Sequence, residues 1–489
     1  MAYGILKRTF KPPLEAERPE PLPTGPAGVI LGDFIDDRRT RRRFPPGAKN
    51  PSARRTLALT RYPLPMLLEL YRKYGPVFSF RLLHRLEVAM IGPAANHFIT
   101  VSHADLFTWR LGHLGELTPL IGDGILTTDG AYHDRNRRLM MPAFHRRQID
   151  AAVEVMVEEV ENGMRGWKPG AVIDLYAWFR GLALRMSMRS LLGMHPDDHD
   201  SGAAAALHFE AALAFWGTDV PARLLRGPGT PWARMKAARA ALDEIVHAEI
   251  QARRRRPEEG GLDVMSMLLA AREEDGSGLT DEEIRDQLVT LMFAGHDTST
   301  STISFLAYEL ARNPLEMRRL QAEQDEVLGS AAPDGEALHG ALPRLEMTID
   351  EAMRLHPPVW IGARRAIEDF EFEGRHVAAG SYVNYFPWAS HRLPKVFEKP
   401  DSFIPARMSR ERKAELPKGA FVPFGGGSRI CIGKRFGQAM VATAASRLVS
   451  RFKFELPREY EMRFKLEPTL SPRDGLPLIL RERRNGANA

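Results

Sequence analysis

The sequence predicts a mainly α protein with small β-sheets. Helical signals run almost unbroken from about residue 130 to residue 356, strand-like runs are short and lie towards the two ends, and there is no internal repeat or regular strand–helix alternation of the kind that signals a doubly wound sheet.

Taken in order, residues 1–60 are rich in Pro and carry a basic cluster at Arg38, Arg39, Arg41, Arg42 and Arg43. They read as a partly disordered N-terminal arm, its charges either a solvated tail or a patch for a partner or membrane surface. Residues 61–489 read as one domain. Pro65 to Tyr74 forms a short helix that Gly75-Pro76 breaks. Val77 to Met90 gives two strands ended by Ile91-Gly92-Pro93, and 94–106 returns to helix. Helices follow over 130–165, 174–193, 203–217, 231–255, 263–274, 280–312, 314–328 and 343–356. Strands come back near 366–384 and 452–480. The helix over 280–312 starts on a capping box, Thr280 with Glu283, and stops at Asn313-Pro314. At 1.5 Å per residue it spans about 48 Å, enough to cross a domain. Its apolar face, Leu288, Leu291, Met292 and Phe293, is interrupted by Ala294-Gly295-His296-Asp297-Thr298.

Composition narrows the function. The 489 residues, 44% hydrophobic and 27% charged, are globular in balance, and no linker divides them. A net charge of +6 with cations spread along the chain argues against nucleic-acid binding. The single cysteine excludes an internal disulfide framework, a Cys-rich zinc site and a Cys-ligated iron–sulfur cluster. No run of about 18 apolar residues predicts a transmembrane helix, and the N-terminus has no signal-peptide pattern. A cytoplasmic, monomeric protein is expected.

The sharpest local signal is Phe424-Gly425-Gly426-Gly427-Ser428-Arg429-Ile430-Cys431-Ile432-Gly433. Glycines allow backbone close approaches that can aim N–H groups at a sulfur. Such hydrogen bonds, with nearby positive charge and the N-terminus of a following helix, favour thiolate over thiol. A thiolate ligand pushes electron density onto a haem iron. The plainer alternatives are a buried structural cysteine beside a flexible loop and a phosphate loop, although no phosphate-loop spacing fits.

Phe424, Gly427, Arg429, Cys431 and Gly433 match the F-x-x-G-x-R-x-C-x-G signature of the cytochrome P-450 superfamily, and the chain resembles that family from about Tyr62 to Leu480. Ala294 to Thr298 resembles its oxygen-activating A-G-x-D-T, Glu351-Ala352-Met353-Arg354 its E-x-x-R, and Pro405-Ala406-Arg407-Met408 its P-E-R-F. The resemblance implies the cytochrome P-450 fold and haem b (iron protoporphyrin IX) ligated by Cys431. It implies a cofactor pocket with Phe424, Gly425, Gly433 and Ala294, and propionates held by His133, Arg137, Arg364 and Arg429, with Arg365 the runner-up to Arg364. Asp297 and Thr298 become the proton-relay pair, although a helix Thr often bonds back to a carbonyl one turn earlier. Glu351, Arg354 and Arg407 become a structural triad. The expected reaction is monooxygenation of an apolar small molecule, with Phe293, Ala294, Thr298, Val359, Trp360 and Leu470 among the substrate-lining candidates. Electrons are expected from NAD(P)H through a separate ferredoxin or flavodoxin and its reductase, because no flavin- or nicotinamide-binding unit is visible. The rival readings are a peroxygenase or peroxide isomerase or dehydratase, a non-catalytic haem sensor, and a cysteine hydrolase.

Overall fold

The computed structural model describes residues 17–19, 44–198, 201–218, 220–256 and 261–483. The basic cluster Arg38 to Arg43 lies outside them. Part of the expected arm belongs to the fold. Strand β1 (Gly47–Ala48) pairs in parallel with the strand at Val77–Leu82, and Gly47 suits it because a Cβ there would lie 2.0 Å from the Ser79 carbonyl oxygen. Helix α1 (Ala53–Arg61) starts on Ser52, whose hydroxyl accepts from the Arg55 N–H at 3.3 Å. Arg18 pairs with Asp123 at 3.0 Å and with Asp286 at 3.1 Å.

Helix α2 (Pro63–Tyr74) leads into β2 (Val77–Leu82) and β3 (Arg85–Met90), an antiparallel pair. With β4 (Phe107–Thr108), β5 (Gly362–Ala366) and β6 (Tyr382–Tyr385) they form one sheet in the order β1-β2-β3-β6-β5-β4. β3 and β6 run parallel, while β5 is antiparallel to both β6 and β4. The sheet brings two distant chain regions, near 85 and near 365, to one side of the molecule.

The helical middle follows as α3 (Gly130–Met140), α4 (Arg146–Gly163), α5 (Leu175–Ser187), α6 (Gly202–Leu213), α7 (Pro231–Arg254), α8 (Asp281–Arg312), α9 (Pro314–Val327), α10 (Pro343–Leu355) and α11 (Lys434–Arg451). Three sequence expectations are corrected. The helix expected over 130–165 is two, because Met141–Phe144 tightens to a 3₁₀ turn around Pro142 and His145 is extended. The helix expected over 94–106 is an α-turn at Pro93–His97, a π-turn at Phe98–Ser102 and a 3₁₀ turn at Ala104–Leu106. The helix expected over 263–274 ends at Ala270, where Ala271 turns extended.

Helix α8 has the predicted capping box in full: Thr280 Oγ1 accepts from the Glu283 N–H at 3.2 Å, and the Glu283 carboxylate accepts from the Thr280 N–H at 2.8 Å. Its 32 residues span about 48 Å and pack against α5, α7, α10 and α11. Leu288, Met292, Ile303 and Leu306 join Met156, Phe179, Val246 and Met440 in the main core. Each such side chain contributes about 1.5–3 kcal/mol on burial. Near the C-terminus a hairpin of β7 (Phe464–Lys465) and β8 (Ser471–Pro472) is pinned to α8, where the Ser301 hydroxyl donates to the Leu470 carbonyl. Among the described residues no helix is long and apolar enough to cross a membrane.

Candidate active site

The cysteine loop is held by its backbone. The Cys431 N–H donates to the Phe424 carbonyl at 3.0 Å, closing the loop on itself. Gly425 and Gly427 sit at φ +72° and +62°, in the left-handed region. Gly427 also presses on the π-turn, since a Cβ there would lie 2.2 Å from the Thr100 carbonyl oxygen. Cys431 is deep in the protein, yet its side chain is exposed to a cavity of about 1660 Å³. Burial pushes the thiol up, while the Gly433 N–H, Arg137 and the Lys434 ammonium pull it down. α11 begins at Lys434, so its positive end lies beside the sulfur.

Cations gather on the same cavity. His133 and Arg137, one turn apart on α3, both line it. Burial and the neighbouring Arg429 and Arg137 push His133 down to about 4, so its 2.8 Å contact with Asp134 is a hydrogen bond from a neutral ring at neutral pH. Arg137 has no ion pair or hydrogen bond among the described residues, and burial lowers its pKa. Arg364 and Arg365 alternate across β5. Arg365, also on the cavity wall, donates to the Gly380 carbonyl at 3.0 Å. Arg364 turns to the cavity and stacks 3.4 Å above the Trp109 ring, with Arg429 4.6 Å from the same ring. Arg429 donates to the Thr128 carbonyl at 2.6 Å and pairs with Asp129 at 3.2 Å, but its Nη1 is buried without a partner. Burial pushes Arg429 down to about 10, so a further anion would stabilise its charge. A lone thiol, an orphaned guanidinium nitrogen and the unpaired Arg137 together suit an iron porphyrin with acidic side arms.

On α8, Ala294, Gly295, Asp297 and Thr298 line the cavity, and a Cβ at Gly295 would meet nothing within 4 Å. The Thr298 hydroxyl donates to the Ala294 carbonyl at 2.6 Å, the one-turn bond anticipated as the plainer option. Asp297 is buried rather than surface-exposed. Burial disfavours its charge, but His296 at 3.3 Å and Arg180 at 3.3 Å outweigh that and hold the carboxyl below its ordinary range. Arg180 in turn pairs with Glu210 at 2.6 Å, so a charged chain runs from Asp297 through α5 to α6.

Away from the cavity, Glu351 and Arg354 form a fully buried two-pronged pair at 2.8 and 2.9 Å. Arg407 reaches Glu351 at 3.1 Å. Arg354 also donates to the carbonyls of His391, Pro400 and Ser402 at 2.9, 2.7 and 3.1 Å, which fastens α10 to the segment leading into the cysteine loop.

The remaining wall includes Trp216, Phe293, Val359, Trp360, Phe424, Gly425 and Gly433. Leu470 does not line it: its side chain is fully buried in a core cluster, and its neighbour Thr469 takes the place. Leu207, the start of another lining candidate stretch, is 67% exposed on α6. Sequence reasoning did not single out Trp109, Asp129, Arg180 or Lys465. Trp109 and Asp129 had no signal beyond lying near a motif. Arg180 is five residues into an amphipathic helix and looked like solvated charge.

Comparison with known proteins gives a consistent picture. A family model described as Cytochrome P450 matches residues 57–478. Cyclooctatin synthase of Streptomyces melanosporofaciens is 35% identical over 344 residues, 68% of this chain and 73% of that protein. Cyclooctat-9-en-7-ol 5-monooxygenase of the same organism is 31% identical over 413 residues, 81% of this chain and 86% of that one. A solved structure described as retinoic acid bound cyanobacterial CYP120A1 superposes with a TM-score of 0.80 at 27% identity, covering 90% of this chain and 99% of that chain.

Proposed function

We propose, from the premise that the chain belongs to the cytochrome P450 family and is an oxidoreductase that incorporates molecular oxygen, that it inserts one oxygen atom into an apolar small molecule with electrons from a separate partner. One observation carries the reading. A single cavity is lined by Cys431, by His133 and the cations Arg137, Arg364 and Arg429, and by Ala294, Gly295, Asp297 and Thr298. Haem bound there supplies the iron at which oxygen is activated. Cys431 would hold the iron through its sulfur, with the Gly433 N–H and the start of α11 stabilising the anion. The three arginines and the His133 ring would hold the propionates. Asp297 holds a proton route inward from Arg180 and Glu210, and Thr298 hands the proton on by turning its hydroxyl away from the Ala294 carbonyl.

The substrate reading rests on the wall and on the relatives. Leu, Phe and Trp side chains dominate the distal part of the cavity, and the relatives' names carry cyclooctatin, a cyclooctat-en-ol and retinoic acid. A mostly hydrocarbon substrate of that order of size fits. Electrons come from NAD(P)H through a ferredoxin or flavodoxin and its reductase, with Lys434 and Arg435 beside the cysteine loop to steer an acidic partner. The acid–alcohol pair of buried Asp297 and half-buried Thr298 favours this over a peroxygenase or peroxide isomerase. The test is the absorption spectrum of the reduced protein under carbon monoxide. Wild type should give a strongly red-shifted Soret band that Cys431→Ala lacks. A band that survives the substitution would return the loop to a structural role. Substrate-dependent oxygen uptake with a ferredoxin system then separates the monooxygenase from a sensor.

A further inference from the structure

Among the basic side chains of the cavity wall that the chemistry above does not employ, Lys465 stands nearest in charge to Asp297. Lys465 stands on β7, opposite Ser471 on β8, and lines the cavity half-buried. Its ammonium lies 3.9 Å from where Gly217 would carry a Cβ, so it reaches across to the segment that bears Trp216. Two acids act on it electrostatically, Asp297 and Glu467. Each is already engaged: Asp297 by Arg180 and His296, Glu467 by Arg223 at 2.5 Å. Lys465 itself makes no ion pair or hydrogen bond among the described residues. Burial, helped by the nearby Arg180, lowers its pKa against the pull of Asp297 and Glu467.

We propose that Lys465 determines specificity by binding a carboxylate at one end of an otherwise apolar substrate, an inference that rests on reading the cavity as the substrate chamber. An ammonium partly drawn out of water loses solvation, and a ligand carboxylate restores it with a charge-assisted hydrogen bond. Partial burial strengthens that bond relative to the same pair in water. The anchor is also stiffly placed. The β7–β8 hairpin is tied to α8 by Ser301 and to Pro358 by the Leu470 N–H at 2.9 Å. The strand that carries Lys465 therefore stands at a fixed offset from Asp297 and Thr298 on α8. A substrate held at its charged end presents a defined stretch of its hydrocarbon body to the reacting centre.

The experiment is calorimetric titration of the haem-loaded full chain at neutral pH with dodecanoic acid and with dodecanamide, its neutral counterpart of equal length. Wild type should bind the acid about tenfold or more tightly than the amide. Lys465→Met should bind the two alike, with amide affinity unchanged, and Lys465→Arg should restore the preference. Amide binding without any preference for the acid in wild type would overturn the anchor alone, as would a preference that survives in Lys465→Met. Failure of wild type to bind either ligand would overturn the apolar chamber, and the anchor with it.

Discussion

At the scale of single residues, the site is a set of groups whose ordinary behaviour is altered by their neighbours. Thr298 is the clearest case, because its hydroxyl is committed to the Ala294 carbonyl and would have to turn away from it to pass a proton. Thr298→Ala should leave oxygen uptake largely intact while product formation falls at least about tenfold, a slowing of about 1.4 kcal/mol, with the difference appearing as hydrogen peroxide. Equal losses of uptake and product would deny the hydroxyl a part in proton transfer. The same scale shows why some residues were legible and others were not. Cys431 and its glycines announce themselves because few backbones need three consecutive glycines. Arg364 could be separated from Arg365 only by the alternation of β5, which sends adjacent side chains to opposite faces. Arg180 was invisible because its partner, Asp297, is 117 positions away in the chain.

At the scale of elements, the loops and turns that shape the cavity are held by close fits and by charge. Gly427 combines a left-handed backbone with contact against the π-turn at Phe98–Ser102. Gly427→Ala should destabilise the fold by about 1–3 kcal/mol, read as a lowered urea midpoint, and should loosen haem retention. A midpoint equal to wild type would mean that the loop relaxes without cost. The 3₁₀ segment His113–Leu117 on the cavity wall is held to β3 through His113, 3.2 Å from the Glu87 carboxylate. Burial disfavours a charged His113, yet Glu87 and Glu116 overcome it and raise its pKa to about 9. A raised folded-state pKa stabilises fully below the unfolded value near 6.5 and less as pH climbs through about 9. The stability gap between wild type and His113→Gln should therefore narrow as pH rises from about 6.5 past 9, measured by thermal melts. A constant gap would leave His113 with packing alone. Strong periodicity made α8 and its capping box legible to within a residue. The split of the helix after Met140 was missed because its signals run on through Pro142, and the docking of residues 44–60 because Pro-rich composition resembles disorder.

At the scale of the whole molecule, the helical body and the sheet are joined by a few buried polar knots. Glu351 is the centre of one, facing Arg354 and Arg407 and accepting the Ile404 N–H at 2.9 Å. Glu351→Gln should cost about 3–5 kcal/mol, because two arginines lose their counter-charge in a dry interior. Chemical unfolding measures this, and a loss under about 1 kcal/mol would reduce the knot to an ordinary surface pair. The fold as a whole could be anticipated from helix lengths and strand placement. The cavity could not, because its wall is drawn from segments near 60, 84, 110, 216, 295, 360, 430 and 467. That scattered wall also carries Trp109, Trp216, Trp232 and Trp360, out of 7 tryptophans in the chain. Of the others, Trp167 and Trp178 pack against each other and Trp388 is fully buried elsewhere. The protein is thus wired with its own optical gauge: a porphyrin entering the cavity accepts excitation energy most efficiently from the four indoles around it, and ultraviolet-excited emission fades as the protein loads.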